Sequence, residues 1–130
     1  MIILKKKEKI NLLYFLYKDL QDVEKSFRNF ANLASDKVLA NGDDPHVVDT
    51  LSGLDYVSFG LNPENRVHAE NICPDWRHLD VVCDGQFYCH LDLQVLGKHN
   101  ALNALGAAGT AWMLGIPGEA VSHGLATFGG

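Results

Sequence analysis

Two asparagines three positions apart, Asn100 and Asn103, stand where a strand-like run gives way to a small-residue helix in Leu96-Gly97-Lys98-His99-Asn100-Ala101-Leu102-Asn103-Ala104-Leu105. Asparagine is a poor helix-interior residue and a good cap, because its amide can satisfy a first-turn N–H that has no intrahelical partner. Asn100 is explained that way. Asn103 is not, since a second cap in the same turn is redundant; at i, i+3 the two amides share a face and can converge on a group outside the helix. His99 beside them can stack on a planar ligand while the amides read its edge, against the plainer reading of a surface or capping histidine. Gly97-Lys98 ahead of a helix N-terminus suits an anion, and Lys98 is equally well a solvated charge. The G-x-x-x-x-G-K-[ST] phosphate loop occurs nowhere in the chain.

Asp43-Asp44 is a paired carboxylate at a strand-to-helix loop, where active-site residues of α/β proteins collect. Asx residues before proline are also turn and cap formers, and that reading outweighs the first on local chemistry. Cys73, Cys83 and Cys89 are an odd set without C-x-x-C spacing, which fits a reducing compartment. If Asp84-Gly85 is a two-residue hairpin turn, Cys83 pairs with Gln86 and Asp80 with Cys89. That register puts Cys83 and Cys89, and likewise His78 and His90, on opposite faces. It allows no disulfide, no shared zinc and no metal constellation among the six histidines. No Ser/His/Asp or Cys/His arrangement stands out, so no catalytic residue is assigned and autonomous nucleophilic catalysis is not expected.

The elements that must position these residues read as α/β. Leu20, Val23, Phe27, Phe30, Ala31 and Leu33 recur at helical spacing behind Asp19, predicting an amphipathic helix over Asp19–Leu33. Lys37–Ala40 predicts a short buried strand, Asn41–Pro45 a tight polar loop, and His46–Leu51 a helix with Pro45 at its first position. Tyr56–Gly60 and Val67–Ile72 predict two more strands. Leu79–Cys83 and Gln86–Leu96 predict a hairpin with Phe87, Cys89, Leu91, Leu93 and Val95 on a buried face. A helix over Asn100–Leu114 ends at Gly115, and a last helix runs from Pro117 to Phe128. Parallel-type units followed by an antiparallel hairpin predict a mixed sheet flanked by helices, or a main sheet with a smaller one beside it.

At 130 residues the chain is one domain's worth, with 47% hydrophobic residues and a formal net charge of −5. No basic stripe survives to bind nucleic acid. Lys5, Lys6, Lys7 and Lys9 read as a solvated end leading into a buried segment. No run approaches the roughly 18 apolar residues of a membrane span, so a soluble cytoplasmic protein is expected. No internal repeat or linker is visible.

Gly97-Lys98-His99-Asn100-Ala101-Leu102-Asn103-Ala104-Leu105 resembles the G-[KR]-H-N-x-x-N-A-L motif of the Mur ligases, ATP-dependent enzymes that build the peptide stem of bacterial peptidoglycan. Phe27–Leu33, Ala40–Pro45, Phe59-Gly60-Leu61 and Ala69–Ile72 fall in the order and spacing seen in the branch that joins L-alanine to UDP-N-acetylmuramate. The resemblance covers residues 17–130 and implies part of the central ATP-binding domain, with residues 1–16 unmatched. It implies ATP and Mg2+ as cofactors of the complete enzyme, an acyl phosphate as its intermediate, and UDP-N-acetylmuramate and L-alanine as its substrates. It also implies that His99, Asn100 and Asn103 lie at the adenine end of the nucleotide site.

The departures imply more. The family's phosphate loop, catalytic Glu and UDP-sugar domain would precede residue 1. Leu12, Leu13, Tyr14 and Phe15 stand where the family has an Asp-His-Leu-Asp run whose His helps bind magnesium. No metal ligand is therefore assigned, and the chain alone is expected not to ligate. Two other readings stay open: the branch that reattaches recycled murein peptides, and a non-catalytic interaction module with the same fold. Missing sheet partners would leave exposed edges, making self-association plausible.

Overall fold

The computed structural model describes residues 38–127 in full and the backbone of two strands at 2–7 and 10–15. These form one seven-stranded sheet in the order β2-β1-β3-β4-β5-β6-β7. The strands are β1 (Ile2–Lys7), β2 (Ile10–Phe15), β3 (Val38–Asn41), β4 (Val57–Gly60), β5 (Val67–Glu70), β6 (His78–Cys83) and β7 (Gln86–Asp92). Three helices accompany them: α1 (Pro45–Thr50), α2 (Lys98–Met113) and α3 (Gly118–Leu125). The mixed sheet of the sequence reading is present as a single layer. β3, β4 and β5 are mutually parallel, and β5-β6-β7 and β3-β1-β2 are antiparallel. Lys5, Lys6 and Lys7, expected within a solvated end, instead lie in β1, which with β2 extends the sheet beyond β3. The helix expected over Asp19–Leu33 lies outside the described residues.

The core lies between the sheet and α2. Leu39, Phe59, Val67, Leu79, Val81, Cys89 and Leu91 of the strands, with Leu93 just past β7, pack in one cluster with Ala101, Ala104, Leu105 and Ala108 of the helix. Small residues let the helix backbone come close: a Cβ on Gly109 would sit 3.2 Å from Leu39 and 3.3 Å from Val67. β7 runs in the same direction as β3, β4 and β5, because two antiparallel steps restore the sense. The loops leaving these strands, and the N-terminus of α2 that follows β7, therefore share one edge of the sheet, the edge where α/β proteins place ligands.

The β6–β7 hairpin corrects the expected register. Asp84-Gly85 is the turn, with φ of 49° and 78° as a type I′ turn requires. Arg66 holds Asp84 through a two-pronged ion pair of 2.8 and 2.9 Å. Cys83 pairs with Gln86 and Val82 with Phe87 as expected, but Val81 then pairs with Cys89. Tyr88 is the extra residue of a β-bulge, and one inserted residue turns every later side chain to the other face relative to its partner. Cys83 and Cys89 are consequently both buried on the helix-covered face, and Phe87, expected inside, is 66% exposed. His78 and His90, expected on opposite faces, stack on one. The second arm ends at Asp92 rather than Leu96, and Leu93 leaves the strand still buried.

Candidate functional site

α2 begins at Lys98, two residues before Asn100. Gly97 is its N-cap residue, at φ 97°, and makes no side-chain cap hydrogen bond. Asn100 therefore sits at the third helical position and is not the cap that its sequence suggested. Its Nδ2 donates to the Leu96 carbonyl at 2.9 Å, tying the helix start back to the incoming chain. Asn103 Nδ2 lies 3.3 Å from His99 Nε2, an i, i+4 pair that fixes the amide beside the ring. The structure thus brings His99, Asn100 and Asn103 together on the first turn and a half of α2. His99 is exposed and the two asparagines are half-buried.

The loop between β5 and β6, which the sequence reading did not single out, supports this turn. Asp75 accepts the Gly97 N–H through its backbone oxygen at 3.2 Å, while Arg77 accepts Leu93 N–H at 2.7 Å and donates from Nε to the Leu93 carbonyl at 2.9 Å. Trp76 holds φ at 66°, a left-handed conformation rarely taken by a large residue. The available sequence signal was the turn chemistry of Cys73-Pro74-Asp75.

Asp43 and Asp44 divide their work. Asp44 caps α1 by accepting the His46 N–H at 2.9 Å. Asp43 accepts the N–H groups of Leu61 at 2.6 Å and Asn62 at 3.1 Å, and the Asn65 amide at 2.9 Å, so it latches the loop after β3 to the loop after β4. A Cβ on Gly60 would lie 2.5 Å from that carboxylate, which explains a glycine at the end of β4. Asp44 thus acts as the cap that its place before Pro45 suggested, and Asp43 as a loop-to-loop latch. Replacing Gly60 by alanine should displace the Asp43 carboxylate and cost about 1–3 kcal/mol, as overpacking does elsewhere. Urea unfolding of the variant measures it.

An exposed imidazole beside two amides at a helix N-terminus offers a stacking face for a planar ligand and a donor and an acceptor for its edge. Residues 15–111 match the Mur ligase middle domain. The chain belongs to that family. Among curated relatives, it is 34% identical over 121 residues to the UDP-N-acetylmuramate–L-alanine ligase of Clostridium acetobutylicum, covering 88% of this chain and 26% of that protein. It is 30% identical, with the same coverage, to the ligase of that name from Caldanaerobacter subterraneus subsp. tengcongensis. The chain thus spans about a quarter of the length of the curated relatives it matches. The fold is shared with a murein peptide ligase from Psychrobacter arcticus, at TM-score 0.72 and 19% identity, covering 88% of this chain and 26% of that one. It is also shared with a UDP-N-acetylmuramate:L-alanyl-γ-D-glutamyl-meso-diaminopimelate ligase from Neisseria meningitides, at TM-score 0.70 and 21% identity, covering 89% and 36%.

No helix among the described residues of this Mur ligase family chain is long and apolar enough to cross a membrane. Its cysteines divide by burial. Desolvation pushes the Cys83 thiol up to about 12 and the Cys89 thiol up to about 11, so neither forms the thiolate that reacts at neutral pH. Cys73 is half-buried, donating to Asp75 Oδ1 at 2.8 Å and accepting the His78 N–H at 3.1 Å. Iodoacetamide at neutral pH should therefore modify Cys73 alone in the folded chain and all three cysteines after denaturation, as peptide mapping by mass spectrometry would show. Early labelling of Cys83 or Cys89 would mean that the face under α2 opens.

Proposed function

We propose that this chain forms the adenine-binding side of the ATP site in a peptidoglycan ligase that joins L-alanine to UDP-N-acetylmuramate. The observation that carries the reading is the grouping of His99, Asn100 and Asn103 on the first turns of α2. In this role His99 stacks on the base, Asn103 reads its edge with an amide oriented by His99, and Asn100 locks the turn through Leu96. Bound ATP supplies the activating phosphoryl group with magnesium; the part these residues play is to hold and orient the base. Residues 17–130 would all belong to the ATP-binding domain.

The names of the curated relatives support L-alanine as the amino acid and UDP-N-acetylmuramate as its acceptor. The murein peptide ligases support the recycling branch only at the level of fold, which the branches share. In the complete enzyme, Asn103→Ala should weaken ATP binding by roughly 5- to 150-fold, the range of about 1–3 kcal/mol for an amide reading adenine. The circular dichroism spectrum should stay unchanged. ATP affinity equal to that of the parent enzyme would refute the role. The 130 residues by themselves should give no ATP-dependent ligation in a turnover assay, because the chain contains no G-x-x-x-x-G-K-[ST] sequence to grip a triphosphate. Product formation would favour a different nucleotide grip.

A further inference from the structure

The Tyr88 bulge has a chemical result on the face of the hairpin turned away from α2. By pairing His78 with Asp92 and Asp80 with His90, it places two imidazoles and two carboxylates on one side of adjacent strands. The two rings lie 6.5 Å apart between centroids and within 6° of parallel. Asp92 Oδ1 sits between them, 2.7 Å from His78 Nδ1 and 2.8 Å from His90 Nε2. One ligand atom from each of His78, His90 and Asp92 falls within 4.8 Å of the others. Two imidazoles and one carboxylate are a donor set that suits a divalent first-row transition metal, and three protein ligands leave a coordination position for water.

The surroundings are built as metal sites are. The far nitrogen of His90, Nδ1, lies 2.6 Å from Asp80 Oδ1, and Asp80 Oδ2 in turn accepts from Asn71 Nδ2 at 2.8 Å. A carboxylate on the back nitrogen of a ligating histidine fixes the ring's orientation and raises its basicity. Asp80 is the least exposed of the acidic and imidazole groups here, at 24% of its side chain against 48–60% for the other three. The His90 main chain is itself pinned, since Ser122 Oγ donates to its carbonyl at 2.6 Å. An arrangement that served only as surface ion pairing would gain little from so many fixed partners, because exposed pairs contribute about 0–1 kcal/mol.

We propose that His78, His90 and Asp92 form a zinc-class divalent metal site on the outer face of the β6–β7 hairpin, with Asp80 as the positioning residue behind His90. Zinc–ligand bonds of about 2.0–2.2 Å put neighbouring donors about 3.3 Å apart in a tetrahedral site. Asp92 Oδ1 must therefore draw back from each ring by about half an ångström, a movement that half-exposed side chains can make. The metal replaces both hydrogens aimed at Asp92 Oδ1: the His90 Nε2 proton leaves to solvent while Nδ1–H stays toward Asp80, and the His78 Nδ1 hydrogen is exchanged through solvent to Nε2, leaving both rings neutral ligands. Bound metal then links β6 to β7 on the far side of the bulge from the Asp84-Gly85 turn.

Calorimetric titration of the 130-residue chain with Zn2+ tests this. The expected result is one saturable equivalent per chain, with binding lost in His78→Gln, His90→Gln and Asp92→Asn. Asp80→Asn should keep the stoichiometry and weaken affinity by about 10- to 100-fold, as loss of an outer partner does. Cys73→Ser, His46→Gln and His123→Gln should leave binding unchanged. Zn2+ should raise the thermal midpoint of the parent chain reversibly to a chelator, and should not raise that of His90→Gln. Each variant's midpoint in chelator should match the parent's to within a degree or two, so a lost signal reports the site and not unfolding. No saturable binding, binding that survives His78→Gln and His90→Gln, or binding lost in Cys73→Ser would overturn the proposal.

Discussion

Leu105→Ala should lower the unfolding free energy of this chain by about 2–5 kcal/mol, toward the upper end of that range. Leu105 is fully buried and is the one large side chain among the buried residues of α2; the others are Ala101, Ala104, Gly106, Ala108, Gly109 and Thr110. That composition decides the magnitude. The cost of a large-to-small change depends on how far the surroundings collapse into the void, and alanine and glycine have no rotamers with which to do so. Against a total stability of about 5–15 kcal/mol for a domain, such a loss is large. Urea unfolding followed by circular dichroism would measure it at constant m-value. A loss under about 1 kcal/mol would mean that α2 does not seat against Leu39, Phe59, Leu79 and Leu91 as the structure has it.

The same helix shows what could be read in the residues and what could not. Its small-residue face, its stop at Gly115 and the short strands before it follow from spacing and turn chemistry, which are local. β3, α1, β4 and β5 appear within a residue or two of their expected positions for the same reason. The start of α2 does not, because Asn100 has the propensity of a cap while Gly97 supplies the backbone conformation, and the hydrogen bond that occupies Asn100 goes to Leu96. At the site, the grouping of His99, Asn100 and Asn103 follows from helical periodicity alone. The loop holding it in place does not, because its bonds to Leu93 and Gly97 cross from one element to another.

The hairpin register was the largest departure, and its cause lies some thirty residues downstream. Tyr88 Oη donates to the Ile116 carbonyl at 2.6 Å, and the Tyr88 carbonyl lies directly under the start of α3. These contacts stabilise an extra residue that alternation within Gln86–Asp92 gives no reason to expect. Of the five positions expected inside, Cys89, Leu91 and Leu93 are buried, since they lie past the bulge and two residues apart. The expected separations of Cys83 from Cys89 and of His78 from His90 reversed together. A tertiary contact thereby decides which side chains share a face.

Gly118→Ala is the substitution that tests this coupling. A Cβ at Gly118 would lie 1.9 Å from the Tyr88 carbonyl oxygen, 2.9 Å from its carbon and 3.3 Å from the Cys89 Cβ. Two of those three are main-chain atoms, so no side-chain rotation relieves the overlap; α3 must lift from β7 or the bulge must flatten. Overpacking of this kind costs about 1–3 kcal/mol and more when backbone has to move. The opposing gain from alanine's helix propensity, at most about 1 kcal/mol, is smaller still at the first turn. Gly124 in the same helix provides the comparison, because a Cβ there meets nothing within 4 Å. Gly124→Ala should be neutral or stabilising by up to about 1 kcal/mol. Thermal unfolding should therefore place Gly118→Ala several degrees below the parent and Gly124→Ala at or above it. If Gly118→Ala proved as stable as Gly124→Ala, α3 would not be close enough to β7 to hold Tyr88 out of register.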